Sequence, residues 1–125
     1  RVWLGAGDAA ILTGAVLPSG GFRRFTAATG RAELPRNLHV LDGDGEVWPG
    51  LLALSTPGHT PGHHCFRSDR VLFAGDSAMA RDGALAPMPS FLMTDVAQGL
   101  ADLARLQSLD VDWYGCGHSD PARRR

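Results

Sequence analysis

Short apolar runs separated by clusters of glycine, proline and small polar residues make up most of the chain, with one longer helical period near its end. "RVWL" (residues 1–4) reads as a short strand. Gly5-Ala6-Gly7 follows, and Asp8 is placed to cap a helix through Ala9–Leu12. Residues 13–37 are rich in turn formers and have no clear period, which predicts mostly loop. "LHVLDGDGEVW" (38–48) joins an apolar strand to Val47 and Trp48 through Asp-Gly-Asp-Gly, the pattern of a hairpin. "GLLALST" (50–56) is a continuous apolar run ending at Pro57, which suits a strand buried on both faces. "HHCFRS" and "RVLFAGD" predict a strand pair about Ser68-Asp69, and "ALAPMPSFLM" (84–93) is apolar but irregular.

The clearest helix spans about Asp95 to Leu106. Thr94 or Asp95 can cap it, and Asp95 with Gln98 has capping-box spacing. Val96, Leu100, Leu103, Ala104 and Leu106 form a broad apolar face. "DVDWYG" (110–115) is a last short strand, and "CGHSDPARRR" follows it with "ARRR" as a solvated tail. There is no internal repeat and no dividing linker, so residues 1–125 read as one unit. Strands followed by a helix and a further strand argue for a mixed α/β layer structure.

Composition narrows the function classes. The chain has 125 residues, is 44% hydrophobic and carries a formal net charge of -1, which is ordinary for a soluble globular domain and gives no electrostatic case for nucleic acid or an anionic membrane. No apolar stretch approaches the roughly 18 residues of a membrane span. Cys65 and Cys116 are too few for a disulfide framework, and two free thiols suit a reducing cytoplasm. The chain begins at Arg1 and runs directly into a strand, as a piece cut from something longer would.

Three polar residues stand out at strand ends, each behind a glycine: His59 in "TPGHTPGHH", Asp76 in "VLFAGD" and His118 in "WYGCGH". Ligands bind at strand ends in layered α/β proteins, where the scaffold is rigid and open. A core strand gains nothing in packing from a terminal carboxylate. Two imidazoles and a carboxylate are donors suited to zinc and, less exclusively, to iron or manganese.

In their order and approximate spacing, "TPGHTPGH", "LFAGD" and "GCGH" resemble the third, fourth and fifth metal motifs of the metallo-β-lactamase superfamily, most closely its glyoxalase II and lactonase-like branches. The resemblance covers essentially the whole chain as the C-terminal half of that fold. It implies an α/β (α+β) αβ/βα sandwich and, in the intact protein, a hydrolase with two metal ions, zinc foremost, acting on an ester, thioester or lactone through a metal-bound hydroxide. Carried over, His59 would ligate the first ion, Asp76 would bridge both, and His118 would ligate the second. Alternation along the strand that they open points His63 and His64 to opposite faces; His63 reads as structural or, alternatively, as a group that orients a ligand from behind, and His64 and His39 read as packing or surface residues.

Several features depart from the family pattern. The His-x-His-x-Asp-His motif is absent from this chain, which leaves each ion short of donors and fits an N-terminal truncation. Cys116 stands where the family usually has proline, and is read as a structural thiol. Ser77, Ala78 and Met79 follow Asp76 without the tyrosine that some lactonases place there. The alternative is a degenerate, non-catalytic member that binds a ligand or a protein. In either case the inner sheet face calls for cover, from a missing N-terminal half or in a dimer. "GAGDAA" fits a dinucleotide-binding pattern, but no acidic residue follows at the required distance. "DGDGE" lacks the later ligands of a calcium loop and reads as a turn.

Overall fold

The computed structural model describes residues 1–19 and 33–125, so residues 20–32 of the expected loop lie outside the described residues. Strand β1 (Val2–Gly5) leads directly into helix α1 (Ala6–Leu12), which begins earlier than the sequence suggests. Gly5, in extended conformation, is its N-cap, and Asp8 lies inside the first turn. Strand β2 (Leu38–Leu41) pairs in parallel with β1. Strand β3 (Gly45–Trp48) instead pairs antiparallel with β4 (Leu51–Ser55). The expected 38–48 hairpin is therefore wrong. The Asp-Gly-Asp-Gly segment turns a corner between two sheets, and Leu41 and Val47 at its ends meet in one cluster with Ala53. The hairpin lies one step later, through Gly50 at φ 78°.

The main sheet has strand order β10-β9-β6-β5-β4-β3, with β5 (His64–Ser68), β6 (Val71–Gly75), β9 (Trp113–Cys116) and β10 (Ser119–Arg123). Its neighbours are antiparallel except β6 and β9, which run parallel and are joined across helix α2 (Val96–Gln107). Between them, β7 (Ala78–Arg81) and β8 (Ala84–Pro87) form a separate hairpin. The sequence reading treats 84–93 as irregular and misses this hairpin. Its signal is Asp82-Gly83, where both residues adopt positive φ. The C-terminal "ARRR" is likewise not a tail. Arg123 closes β10, the Arg124 amide donates to Asp112 O, and the Arg125 amide donates to Gly83 O.

Alternation along the strands separates two cores. Leu54, Cys65, Leu72, Ala74 and Tyr114 face α2 and meet its Leu103 and Leu106. Ala53 faces the other way, onto Leu41, Val47 and Trp3, with Leu51 and Phe66 beside it. Strand β4 is thus buried on both faces, as its unbroken apolar run predicts. Farther along that second face, Phe73 and Trp113 are about half exposed. Among the described residues no helix is long and apolar enough to cross a membrane.

The expected face of α2 needs correction. Gly99, Asp102, Leu103 and Leu106 are buried, whereas Val96, Leu100 and Ala104 are exposed. Gly99 and Asp102 are invisible to a count of apolar residues, yet they are the positions that Gly58, in the loop after β4, presses against. The cap is as expected: the Asp95 carboxylate accepts from the Gln98 amide at 3.0 Å. Leu72→Ala, at a fully buried site, should cost about 2–5 kcal/mol of unfolding free energy, and Leu100→Ala within roughly 0.5 kcal/mol of none. Urea denaturation of both variants checks this; equal losses would mean that α2 packs through its apolar stripe after all.

Candidate metal centre

The loop between β4 and β5, residues 56–63, carries His59. It closes on itself through Thr56 N to His63 O (2.9 Å) and His63 N to Thr60 O (3.1 Å). Its glycines are dictated by close approach. A Cβ at Gly58 would stand 2.3 Å from the Gly99 backbone of α2, and one at Gly62 would stand 2.3 Å from the Asp8 amide nitrogen of α1. Gly5 and Gly7 are constrained from the other side, by Gly62 and Pro61. That explains "GAGDAA" as a packing seam.

Asp76 follows Gly75, which ends β6 with φ 53°, and a Cβ there would come within 2.9 Å of His63 Nε2. His118 lies in the turn between β9 and β10. Gly117 beside it donates its amide to Gly75 O at 2.8 Å, and a Cβ on Gly117 would overlap the Asp76 carboxylate. These tight turns bring the three expected residues together around one carboxylate. His59 Nε2 is 3.7 Å from Asp76 Oδ2, and His118 Nε2 is 3.4 Å from Asp76 Oδ1. The His59 side chain is 13% exposed and that of His118 is 66% exposed, so the pair spans a buried wall and an open rim. One imidazole thus stands at each oxygen of the carboxylate. The number of donors is short: among the described residues, no group of three or more His, Cys, Asp or Glu is arranged to hold an ion alone.

His63 stands behind this trio. Its Nε2 accepts the Asp76 amide at 3.2 Å, so in the neutral ring Nδ1 carries the proton and faces Thr56 Oγ1 (2.8 Å) and Ser77 Oγ (3.2 Å). Its ring meets His59 edge-on, with centroids 5.4 Å apart. Burial, reinforced by the neighbouring His59, lowers its pKa to about 4. His64 is held between the carbonyls of Gly62 and Gly43, and His39 packs on Trp3. Cys65 is fully buried against Thr56 and Ala74 O, its thiol pushed up to about 11 by burial. Cys116 is half-buried beside the main core. Met88 and Met93 pack inside, while Phe91 is 81% exposed.

Thr94 and Asp8, expected only as helix caps, and Asp102, given no role from the sequence, support the loop. Thr94 donates both its amide and its hydroxyl to His59 O. Asp8 and Asp102 accept from the loop itself. Asp102 shares the buried stripe of α2 with Gly99 and Leu106, a stripe that the apolar pattern of the sequence did not mark.

Comparison with known proteins gives the family and the fold. The family model of the metallo-β-lactamase superfamily matches residues 5–118. An N-acyl homoserine lactonase of a Bacillus species is 33% identical over 78 residues, which is 58% of this chain and 31% of that protein. The chain thus spans about a third of the length of the curated relatives it matches. Among solved structures, an archaeal metallo-β-lactamase superfamily protein from Sulfolobus tokodaii superposes with TM-score 0.70 at 20% identity, covering 98% of this chain and 53% of that one. A protein crystallised in a di-iron-bound form superposes with TM-score 0.69 at 24% identity, covering 98% and 59%. At these identities the structural likeness concerns the fold.

The lowered pKa of His63 gives a pH signature in the metal-free chain. Between pH 6.5 and about 4 the unfolded chain binds a proton that the folded ring refuses, so stability falls as pH drops through that window. The loss should reach at most about 3 kcal/mol, and His63→Gln should flatten it. Chemical denaturation at stepped pH reads both; an unchanged slope in the variant would remove His63 as its source.

Proposed function

The chain belongs to the metallo-β-lactamase superfamily, and from that premise we propose that it forms part of a metal-dependent hydrolase of an ester, thioester or lactone. The observation that carries this reading is the Asp76 carboxylate with His59 at one oxygen and His118 at the other. In this reading His59 ligates one ion, His118 a second and Asp76 both. The remaining donors come from outside this set, because a catalytic zinc site ordinarily keeps three protein ligands. Zinc is the metal we favour for imidazole and carboxylate donors, with iron or manganese as alternatives. When bound, the ions would supply Lewis acidity and lower the pKa of water.

The chain's own contribution is placement. His63 holds the Asp76 amide while its buried, neutral ring keeps a positive charge away from the ligands. Thr94 fixes the peptide of His59. The relatives named N-acyl homoserine lactonase favour a lactone among the three substrate classes. Phe73 and Trp113, half exposed on the inner face, mark the surface that we expect the rest of the domain to cover.

In the whole protein, His59→Ala and Asp76→Asn should each lower kcat/KM on a generic lactone or thioester by more than about 100-fold, beyond the loss typical of an outer-shell group. A chelator should abolish turnover and added zinc should restore it. Wild-type turnover in His59→Ala would remove His59 from the reacting site, whereas an unmodified protein that takes up no added zinc and turns over no substrate would favour a non-catalytic binding member of the family instead.

A further inference from the structure

The donors that flank His59 in its loop (the Gly58 amide, the Thr60 hydroxyl and the Gly62 amide) end on two carboxylates, which come from different helices. On one side, the Gly58 amide donates to Asp102 Oδ2 of α2 at 2.9 Å. On the other, the Thr60 hydroxyl donates to Asp8 Oδ2 of α1 at 2.8 Å and the Gly62 amide donates to Asp8 Oδ1 at 3.1 Å. The residues held are the two that flank His59 directly, Gly58 and Thr60, and Gly62 farther along the loop. Pro57 and Pro61 bring no amide donor of their own, so these contacts are not interchangeable with neighbours along the loop.

Asp102 is only 4% exposed, and its second oxygen accepts from Gln98 Nε2 at 2.8 Å. Burying a carboxylate is costly unless it is fully hydrogen-bonded, and an apolar side chain on this stripe of α2 would pack without that cost. What the carboxylate adds is a charge-assisted bond to the residue next to His59. Backbone contact closes the remaining freedom. Gly58 rests on Gly99 of α2, and Gly62 rests on α1 at Asp8, each too closely for a Cβ.

We propose that Asp8 and Asp102 are positioning residues that clamp the His59 loop between α1 and α2 and thereby set where the His59 imidazole stands relative to the Asp76 carboxylate. The proposal rests on the reading of His59 as a metal ligand for its functional meaning, but the clamp itself is a statement about the metal-free fold. Each carboxylate acts through the loop backbone, Asp102 on the approach to His59 and Asp8 on the exit from it.

The test uses the whole protein, metal-free and then titrated with Co(II) alone, in wild type, Asp102→Ala, Asp102→Asn and Asp8→Ala. The His59 ring signals in carbon-edited NMR are assigned by their loss in His59→Ala. Asp102→Ala should move those signals and leave those of His39 in place, and should speed Gly58 amide exchange by at least about tenfold. Asp8→Ala should do the same at Gly62. Asp102→Asn, which keeps an acceptor for Gly58, should lie between wild type and alanine. If Asp102→Ala fails to fold, Asp8→Ala and Asp102→Asn carry the test. In the titration, the alanine variants should weaken Co(II) at least about tenfold and alter its visible absorption.

Faster amide exchange with unmoved His59 signals would overturn the clamp and leave the carboxylates as fold stabilisers. Moved His59 signals with an unchanged Co(II) spectrum and affinity would overturn its role at the metal. Moved His59 signals in the variants, with no Co(II) binding by the wild type, would support the clamp and overturn the metal reading on which its purpose rests.

Discussion

The parallel pairing of β6 with β9 is the constraint on which the candidate site depends. It sets Gly75 opposite Cys116 and lets the Gly117 amide reach Gly75 O, so two strand ends leave the sheet side by side. Asp76 and His118 follow these ends directly. A parallel pair cannot be closed by a tight turn, and the long connection that it needs passes through the β7–β8 hairpin and α2. The same connection delivers the helix that covers one face of the sheet and the residues, Thr94, Asp95 and Asp102, that hold the His59 loop. A single topological step thus supplies the open rim of the site, part of its core and one of its supports.

The polar groups behind the site are arranged so that burial and hydrogen bonding select one state for each. His63 accepts from the Asp76 amide, which assigns the proton in its neutral ring to Nδ1, and burial keeps that ring neutral through most of the physiological range. The Cys65 thiol, raised to about 11, stays protonated and can donate to Ala74 O. Charge is retained at the surface instead. Arg70 bridges Asp110 and Asp112, its guanidinium holding both carboxyls below the ordinary range, and Arg105 does the same for Asp44. These exposed ion pairs contribute little individually, but they tie the start of β9 to β6 and the β2–β3 corner to α2.

What could be read from the residues was whatever local chemistry imposes. Glycine before a polar residue at the end of an apolar run marks a strand that stops sharply, and this grammar picked out His59, Asp76 and His118 without coordinates. The apolar run of β4 announced burial on both faces. Asp95 announced the start of α2, because a cap is a contact between near neighbours. The Asp82-Gly83 turn was equally local and was overlooked within an apolar stretch.

Pairing and partnership belong to the tertiary structure. Nothing within 38–48 says that β2 joins β1 while β3 joins β4, since hydrogen-bonding edges are alike and the choice is made by which sheet buries Leu41 and Val47. Helical spacing favoured Val96 and Leu100 as the buried stripe, yet the loop's need for backbone contact gave that place to Gly99 and Asp102. The distances from Asp76 to two histidines, one 17 residues before it and one 42 residues after it, are set by sheet register rather than by any motif. Sequence determined which groups could act, because side-chain type and backbone freedom are properties of single residues. The fold decided which groups meet, because meeting depends on burial and pairing across the whole chain.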